Sequence, residues 1–137
     1  MSTPIADALR EIVRRRAGER CEYCLVPEIF ISPHEPDHII AAQHRGPTSA
    51  ENLALACFDC NRRKGPNISS VDPISDEIIP LFNPRRQIWQ EHFQLDGARI
   101  VGQSPAGRAT IELLEFNNPI RVLIRKELQR IERYPVR

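Results

Sequence analysis

The 137-residue chain lacks a strong excess of charge of one sign and lacks a long apolar run. Its net charge is +1, so charge alone does not point to a nucleic-acid partner. No stretch approaches the roughly 18 apolar residues that a membrane-spanning helix needs. Arginines interrupt the N-terminus where a secretory signal would have its apolar core. We therefore expect a cytoplasmic protein with no membrane partner and one domain of ordinary size.

Proline and helical periodicity outline the expected elements. Most of the 12 prolines fall between residues 27 and 84, which disfavours long helices and strands there. Thr3 as a cap, Pro4 in the first turn and Gly18 at the end favour an N-terminal helix. The patterns predict helices over 3–17, 58–64, 105–116 and 119–133, short strands over 29–31, 37–42 and 99–102, a turn at 45–47, and a turn or strand over 51–56.

Four cysteines form two pairs, Cys21-x-x-Cys24 and Cys57-x-x-Cys60. Two-residue spacing lets both sulfurs of a turn reach one ion, and four thiolates bind zinc tetrahedrally. The alternatives are two disulfides or four buried thiols, but disulfides are rare in a reducing compartment. The pairs therefore predict a structural zinc site, and the segment between them is too long for a simple zinc ribbon.

Polar residues inside and just after the cysteine pairs carry a family resemblance. The combination CEYC, PDHII, HRGP and ENLALACFDCNRRKG, over roughly residues 20–66, resembles the HNH endonuclease family in its zinc-clamped form. The resemblance implies an α+β fold, with a ββα-metal finger stabilised by the four-cysteine zinc site. We expect the N-terminal helix and this nuclease core over residues 1–68, and a mainly helical C-terminal extension, packed on the core, over 69–137.

Hydrolysis of a phosphodiester needs a base, a cation on the phosphate and a rigid frame. His38 is the natural general base, because its ordinary pKa lies near neutrality. Asp37 offers an oxygen ligand suited to Mg²⁺ or Mn²⁺. The resemblance implies that Asn61 is the second ligand of that ion. It also implies that Asn52 completes the catalytic set by holding the hairpin loop that orients His38. The alternatives are ordinary capping or turn roles for the two asparagines.

Several basic residues are candidates for contacts with DNA. Arg62, Arg63 and Lys64 follow the second cysteine pair on the predicted helix, where cations can bind phosphates. Arg45 stands where the family commonly has a glycine, so it could alter the loop or add a phosphate contact. His44 precedes it and is a candidate for a contact with DNA or metal. A solvated basic face or loop is the alternative for all five residues.

The sequence thus favours an endonuclease that uses Mg²⁺ or Mn²⁺ and leaves a 5′-phosphate and a 3′-hydroxyl, as the resemblance implies. One alternative is a zinc finger that binds nucleic acid without cutting it. Another is a structural zinc domain whose last helix packs against a partner protein through Leu123, Ile124, Leu128 and Ile131. Cutting both strands would need a homodimer or two successive nicks.

Overall fold

The computed structural model describes residues 4–28 and 33–135, in which short strands alternate with short helices. Two single 3₁₀ turns, at Ala42–His44 and Ala50–Asn52, lie within the loop between the first two strands. Among the described helices, none has the length and apolar character that crossing a bilayer requires. In chain order the helices and strands are α1 (Asp7–Arg16), β1 (Glu35–His38), β2 (Leu53–Ala56), α2 (Phe58–Lys64), β3 (Ser69–Val71), β4 (Ile78–Pro80), α3 (Trp89–His92), β5 (Phe93–Asp96), β6 (Arg99–Gly102), α4 (Pro105–Leu114) and α5 (Pro119–Arg130).

The N-terminal helix is shorter than predicted. It begins at Asp7, so Pro4 precedes the helix instead of opening it, and the predicted cap Thr3 lies outside the described residues. Its end follows the prediction, because Gly18 adopts a left-handed φ of 67° and donates its N–H to the Arg15 carbonyl at 3.0 Å. Glycine takes this conformation without steric cost and satisfies a carbonyl that the helix leaves unpaired.

Strands β1 and β2 pair antiparallel, and α2 follows β2 directly, which gives the predicted order strand–strand–helix. The predicted strand over 37–42 was wrong in its bounds. The strand is Glu35–His38, because the chain bends at Ile39, whose N–H bonds the Asn52 carbonyl across the loop at 2.8 Å. The helix over 58–64 is confirmed, whereas the predicted strand over 29–31 falls outside the described residues.

The C-terminal half contains more strand than predicted. A hairpin of β3 and β4 and another of β5 and β6 accompany the helices, and only the strand over 99–102 was expected. Both long helices occur, but α4 ends at Leu114 and α5 at Arg130, two and three residues before the predicted ends. The mixed α+β class and the cysteine-clamped ββα arrangement are confirmed.

One apolar core joins the two halves of the chain. It draws on the cysteine region and on aromatic rings of the C-terminal half, including Phe93 and Phe116. Polar contacts reinforce it, because Trp89 donates its ring N–H to the Tyr23 carbonyl at 2.8 Å and Tyr134 donates its hydroxyl to the Cys24 carbonyl at 2.8 Å. The C-terminal half therefore supports the cysteine region, while a boundary at residue 68 stays a prediction.

Helix α5 reverses the usual amphipathic arrangement, in which apolar side chains face the core. Arg121 and Arg125 are its buried residues. Its apolar stripe is instead largely exposed, at Ile120, Leu123, Ile124 and Ile131. Polar contacts of the two arginines help to hold the helix to the core: Arg121 contacts the sulfur of Cys60, and Arg125 donates to the Ala98 carbonyl.

Candidate functional site

The four cysteines meet in one buried cluster, as the sequence predicts. Cys21 and Cys24 lie in the turn after α1, while Cys57 caps α2 by accepting the N–H of Cys60. All four sulfurs lie within 4.8 Å of one another, and those of Cys24 and Cys57 are 3.7 Å apart. A tetrahedral zinc site with Zn–S bonds of about 2.3 Å has sulfurs about 3.8 Å apart. The four cysteines are free thiols and not disulfides, and their number, chemistry and spacing suggest a metal site of the zinc type.

Burial shapes the electrostatics of this cluster. It raises the pKa of the Cys21 and Cys60 thiols well above their usual range, because a thiolate loses its hydration there. Buried thiolates therefore need positive charge beside them. A bound metal ion supplies it, and the guanidinium of Arg121 lies against the sulfur of Cys60 at 3.0 Å.

A cleft of about 670 Å³ brings together three of the four residues predicted for the catalytic site. Asp37 and His38 reach it from β1, and Asn61 reaches it from α2. Arg10 of α1 and Glu35 also line it, and their side chains form an ion pair of 2.8 Å. The cleft therefore combines a histidine, oxygen donors and a cation at one place, beside the cysteine cluster.

Asp37 is held firmly at the inner wall of this cleft. It is 6% exposed, and its Oδ2 accepts a hydrogen bond from the Tyr23 hydroxyl at 2.9 Å and pairs with the Lys64 ammonium at 3.2 Å. Burial raises the pKa of the Asp37 carboxyl, while Lys64 and Tyr23 counteract that rise. Within the described part of the chain, no donor reaches the other carboxylate oxygen, which remains for a further ligand.

His38 is half-buried and has one ring nitrogen engaged. Its Nε2 lies 2.9 Å from the Thr48 hydroxyl, in the loop between β1 and β2. The carbonyl of His38 accepts a hydrogen bond from the Lys64 ammonium at 2.9 Å. Both the ring and the backbone of this residue are therefore positioned by groups outside β1, which leaves Nδ1 for other partners.

Asn52 closes the loop that carries Thr48. Its side-chain N–H₂ donates to the Ile40 carbonyl at 2.9 Å and to the Pro47 carbonyl at 2.8 Å, and its oxygen accepts the Ile40 N–H at 3.0 Å. Asn52 is buried and does not line the cleft with His38. The arrangement agrees with a positioning role and places no reacting atom beside Asn52.

The loop also explains the Arg45-Gly46 pair of the sequence. Arg45 adopts a left-handed φ of 67°, which a glycine would adopt more readily. Gly46 packs so closely that an added Cβ would lie 1.7 Å from the Ile40 carbonyl oxygen. The second position therefore requires glycine, whereas the first tolerates Arg45 and leaves its side chain exposed.

The predicted DNA-contacting residues fall into two groups. Arg62, Arg45 and His44 are exposed. Arg63 pairs with Glu115 of the C-terminal half, and Lys64 is only 1% exposed. The expectation that Lys64 presents its charge to phosphate on the surface does not agree with this burial, because its ammonium is enclosed between Asp37 and the His38 carbonyl.

Sequence reasoning missed the residues that support the site from a distance. Tyr23, which bonds Asp37, lies inside the first cysteine pair, and Thr48, which bonds His38, lies in the loop between β1 and β2. Arg121 contacts Cys60, although it follows that cysteine by 61 residues in the chain. Tyr23 lies within the CEYC motif and Thr48 directly follows the HRGP motif, so their positions among matched residues were an available signal. No local pattern marks Arg121, since its contact joins distant parts of the chain.

Among the comparisons with known proteins, the one with protein families gives a match. No curated protein and no solved structure matches the chain. The family model described as HNH endonuclease matches residues 21–67, which contain both cysteine pairs, Asp37, His38, Asn52 and Asn61. Such a match indicates a nuclease or another function related to nucleic acids. The resemblance that the sequence suggests is thereby confirmed: residues 21–67 match the family described as HNH endonuclease, and the four cysteines of that match cluster in the fold.

Proposed function

We propose that this protein is an endonuclease that hydrolyses phosphodiester bonds of DNA in the cleft between β1 and α2. The observation that carries the proposal is the presence of Asp37, His38 and Asn61 in the walls of that one cleft. A general base and two oxygen donors are the groups that metal-assisted phosphodiester hydrolysis needs. The family match over residues 21–67 supports the same class of reaction.

His38 acts as the general base in this proposal. With Nε2 protonated and donating to Thr48, Nδ1 keeps its lone pair and accepts a proton from water. The water oxygen then attacks phosphorus, and the bond to the 3′ oxygen breaks. The 3′ oxygen takes a proton from a solvent water, and His38 gives the proton it accepted to the hydroxide left behind, so the products are a 3′-hydroxyl and a 5′-phosphate. A positioned base contributes about 10²–10⁴-fold to such a rate.

Asp37 and Asn61 would hold a Mg²⁺ or Mn²⁺ ion at the cleft. The bound ion supplies positive charge to the phosphate and to the leaving oxygen. Two protein ligands suit Mg²⁺, which usually keeps several of its waters. Tyr23 and Lys64 bond one oxygen of Asp37 and so orient the other. Zn²⁺ in the four-cysteine site would have a structural role, because the cluster has no position left for substrate.

The exposed cations near the cleft would bind the DNA backbone. Arg62 and Arg45 are exposed, and Arg10 lines the cleft while paired with Glu35. Each can exchange its present surroundings for a phosphate. Because the net charge of the chain is only +1, such binding should weaken steeply with added salt.

The ion pair of Lys64 with Asp37 favours a second candidate function, a module that binds nucleic acid without cutting it. A buried ammonium 3.2 Å from the carboxylate already neutralises the charge that would attract a metal ion. In that case the cleft would bind DNA but would show no cleavage at any Mg²⁺ concentration.

Nicking of supercoiled plasmid over a series of Mg²⁺ concentrations tests the proposal and separates the roles. We expect His38→Ala to lower the maximal rate by about 100-fold or more without changing the Mg²⁺ concentration for half-maximal rate. We expect Asn61→Ala to raise that concentration. Asn118→Ala, at the N-cap of α5 and outside the residues that line the cleft, serves as the control and should change neither quantity. A folded wild type that binds plasmid but never nicks it would refute the proposal in favour of the binding module.

A further inference from the structure

Arg121 of helix α5 is buried against the four-cysteine cluster. Its Nη2 lies 3.0 Å from the sulfur of Cys60 and 3.8 Å from that of Cys57. The guanidinium also donates to the Leu114 carbonyl and lies 5.6 Å from the centre of the Phe116 ring. The side chain is only 6% exposed, so water does little to screen its charge from the sulfurs.

The charge of the cluster explains why such a contact matters. Four thiolates around one divalent zinc ion carry a net charge of −2, in a place where three of the cysteines are 0% exposed. Buried charge of one sign is costly unless a partner compensates it. An arginine remains protonated under all ordinary conditions and donates charge-assisted hydrogen bonds. It therefore suits a metal-bound thiolate better than a neutral donor would.

We propose that Arg121 is a charge-balancing partner of the metal-bound thiolates, so that helix α5 takes part in retaining the metal. The metal ligands come from residues 21–60. The affinity of these ligands for the metal would nevertheless depend on Arg121, which lies 61 positions beyond the last ligand. Conversely, loss of the metal would let the thiolates protonate and would weaken the contact of Arg121 that helps to hold α5, whose apolar stripe is exposed. This inference rests on a metal in the four-cysteine site and not on the nuclease activity.

The same helix offers a matched control. Arg125 lies one turn further along α5 and is 0% exposed, yet it donates to the Ala98 carbonyl at 2.7 Å and to the Asn117 side chain at 3.2 Å. Neither of these partners is a cysteine sulfur. Replacing either arginine by methionine removes one buried guanidinium from the same helix, but only Arg121→Met removes a contact to the cluster.

The experiment measures how fast a zinc-binding dye removes zinc from the full, zinc-loaded chain. Because supporting residues around a metal typically change its affinity by about 10–100-fold, we expect zinc loss from Arg121→Met to be faster by a factor in that range. Arg125→Met removes a nearby positive charge but no hydrogen bond to a sulfur, so it should release zinc more slowly than Arg121→Met. Arg121→Lys, which keeps the charge but has a compact ammonium, should lie between the wild type and Arg121→Met.

Cobalt in place of zinc provides a second readout that a merely structural role would not change. Removing the N–H···S bonds of Arg121 makes the thiolates stronger donors, so the sulfur-to-cobalt absorption band should shift to longer wavelength in Arg121→Met alone. Equal zinc loss from Arg121→Met and Arg125→Met, with unshifted cobalt bands, would overturn the proposal. A wild type that takes up neither metal would also overturn it. Because the assays involve no DNA, failure of the Arg121 proposal is distinguishable from failure of DNA cleavage.

Discussion

Asn52→Asp is the change that most sharply tests how the β1–β2 loop is held. The substitution keeps the shape of the side chain and the oxygen that accepts the Ile40 N–H at 3.0 Å. It replaces the N–H₂ group by an oxygen that faces two carbonyl oxygens, those of Ile40 at 2.9 Å and Pro47 at 2.8 Å. Two donated hydrogen bonds thus become two contacts between oxygen atoms.

The expected cost follows from these contacts. Each lost hydrogen bond contributes about 1 kcal/mol, and an acceptor left unpaired in a partly buried place costs about as much again or more. We therefore expect the free energy of unfolding to fall by about 2–4 kcal/mol. A chain of 137 residues unfolds with an entropy of about 290 cal/mol/K, so the melting temperature should fall by about 7–14 °C.

Thermal unfolding followed by circular dichroism, at neutral and at acidic pH, measures this effect. The carbonyl oxygens disfavour an anion, so the new carboxyl should have a raised pKa in the folded state. The stability of the variant relative to the wild type should therefore be highest below the unfolded pKa of about 3.9 and should be lost as pH rises through the folded pKa.

Asn118→Asp provides the matched control. Asn118 caps α5 through its oxygen, which accepts the Ile120 N–H at 3.0 Å. The same chemical change keeps that bond and places a negative charge at a helix N-terminus, so it should be neutral or slightly stabilising. If Asn52→Asp melted at the wild-type temperature at neutral pH, Asn52 could not be the brace of the loop.

Three further predictions concern the cleft and the metal. Lys64→Met leaves the Asp37 carboxylate buried without its cation and raises the pKa of that carboxyl further. The free energy of unfolding, measured by chemical denaturation, should therefore fall by about 3–5 kcal/mol near neutral pH and by less in acid. Thr48→Val removes the hydroxyl beside His38 with little change of shape, so the nicking rate should fall by about tenfold. Thr48→Ser keeps a hydroxyl and should retain the wild-type rate. An unaltered rate in Thr48→Val would contradict the positioning of the His38 ring by Thr48. Removal of metal by a chelator should unfold the region around the cysteine cluster, because structural zinc contributes about 10–16 kcal/mol in small domains; a melting temperature unaffected by chelation would contradict this.

The ββα unit could be predicted from the sequence because its signals are local. The cysteine pairs, the residues between them and Gly65 after α2 mark this unit within about 45 residues, and the sequence predicts α2 correctly at both ends. The prediction for β1 was wrong because Ile39 and Ile40 are apolar and β-branched, which favours a strand, whereas the loop closed by Asn52 bends the chain there. Tertiary contacts thus overrode a local preference.

The role of the C-terminal half could not be predicted, since it depends on contacts between distant residues. The helical spacing of apolar residues correctly indicated α5, but the buried face of that helix is the one with Arg121 and Arg125. The sequence predicts Lys64 as a surface cation for a similar reason: it follows two arginines, and only the fold shows that its ammonium turns inward to Asp37. Periodicity locates an element but does not identify which charged groups it buries.

The most direct test of the account is the rate at which purified protein nicks supercoiled plasmid in Mg²⁺, compared between the wild type, His38→Ala and His92→Ala. His92 lies outside the cleft, where its ring contacts the Ser104 hydroxyl. Metal content and melting temperature are measured for each protein, so that a loss of rate is not confused with unfolding. We expect nicking by the wild type and His92→Ala and its near absence in folded, metal-loaded His38→Ala. Equal nicking by all three proteins would contradict the assignment of His38 as the base.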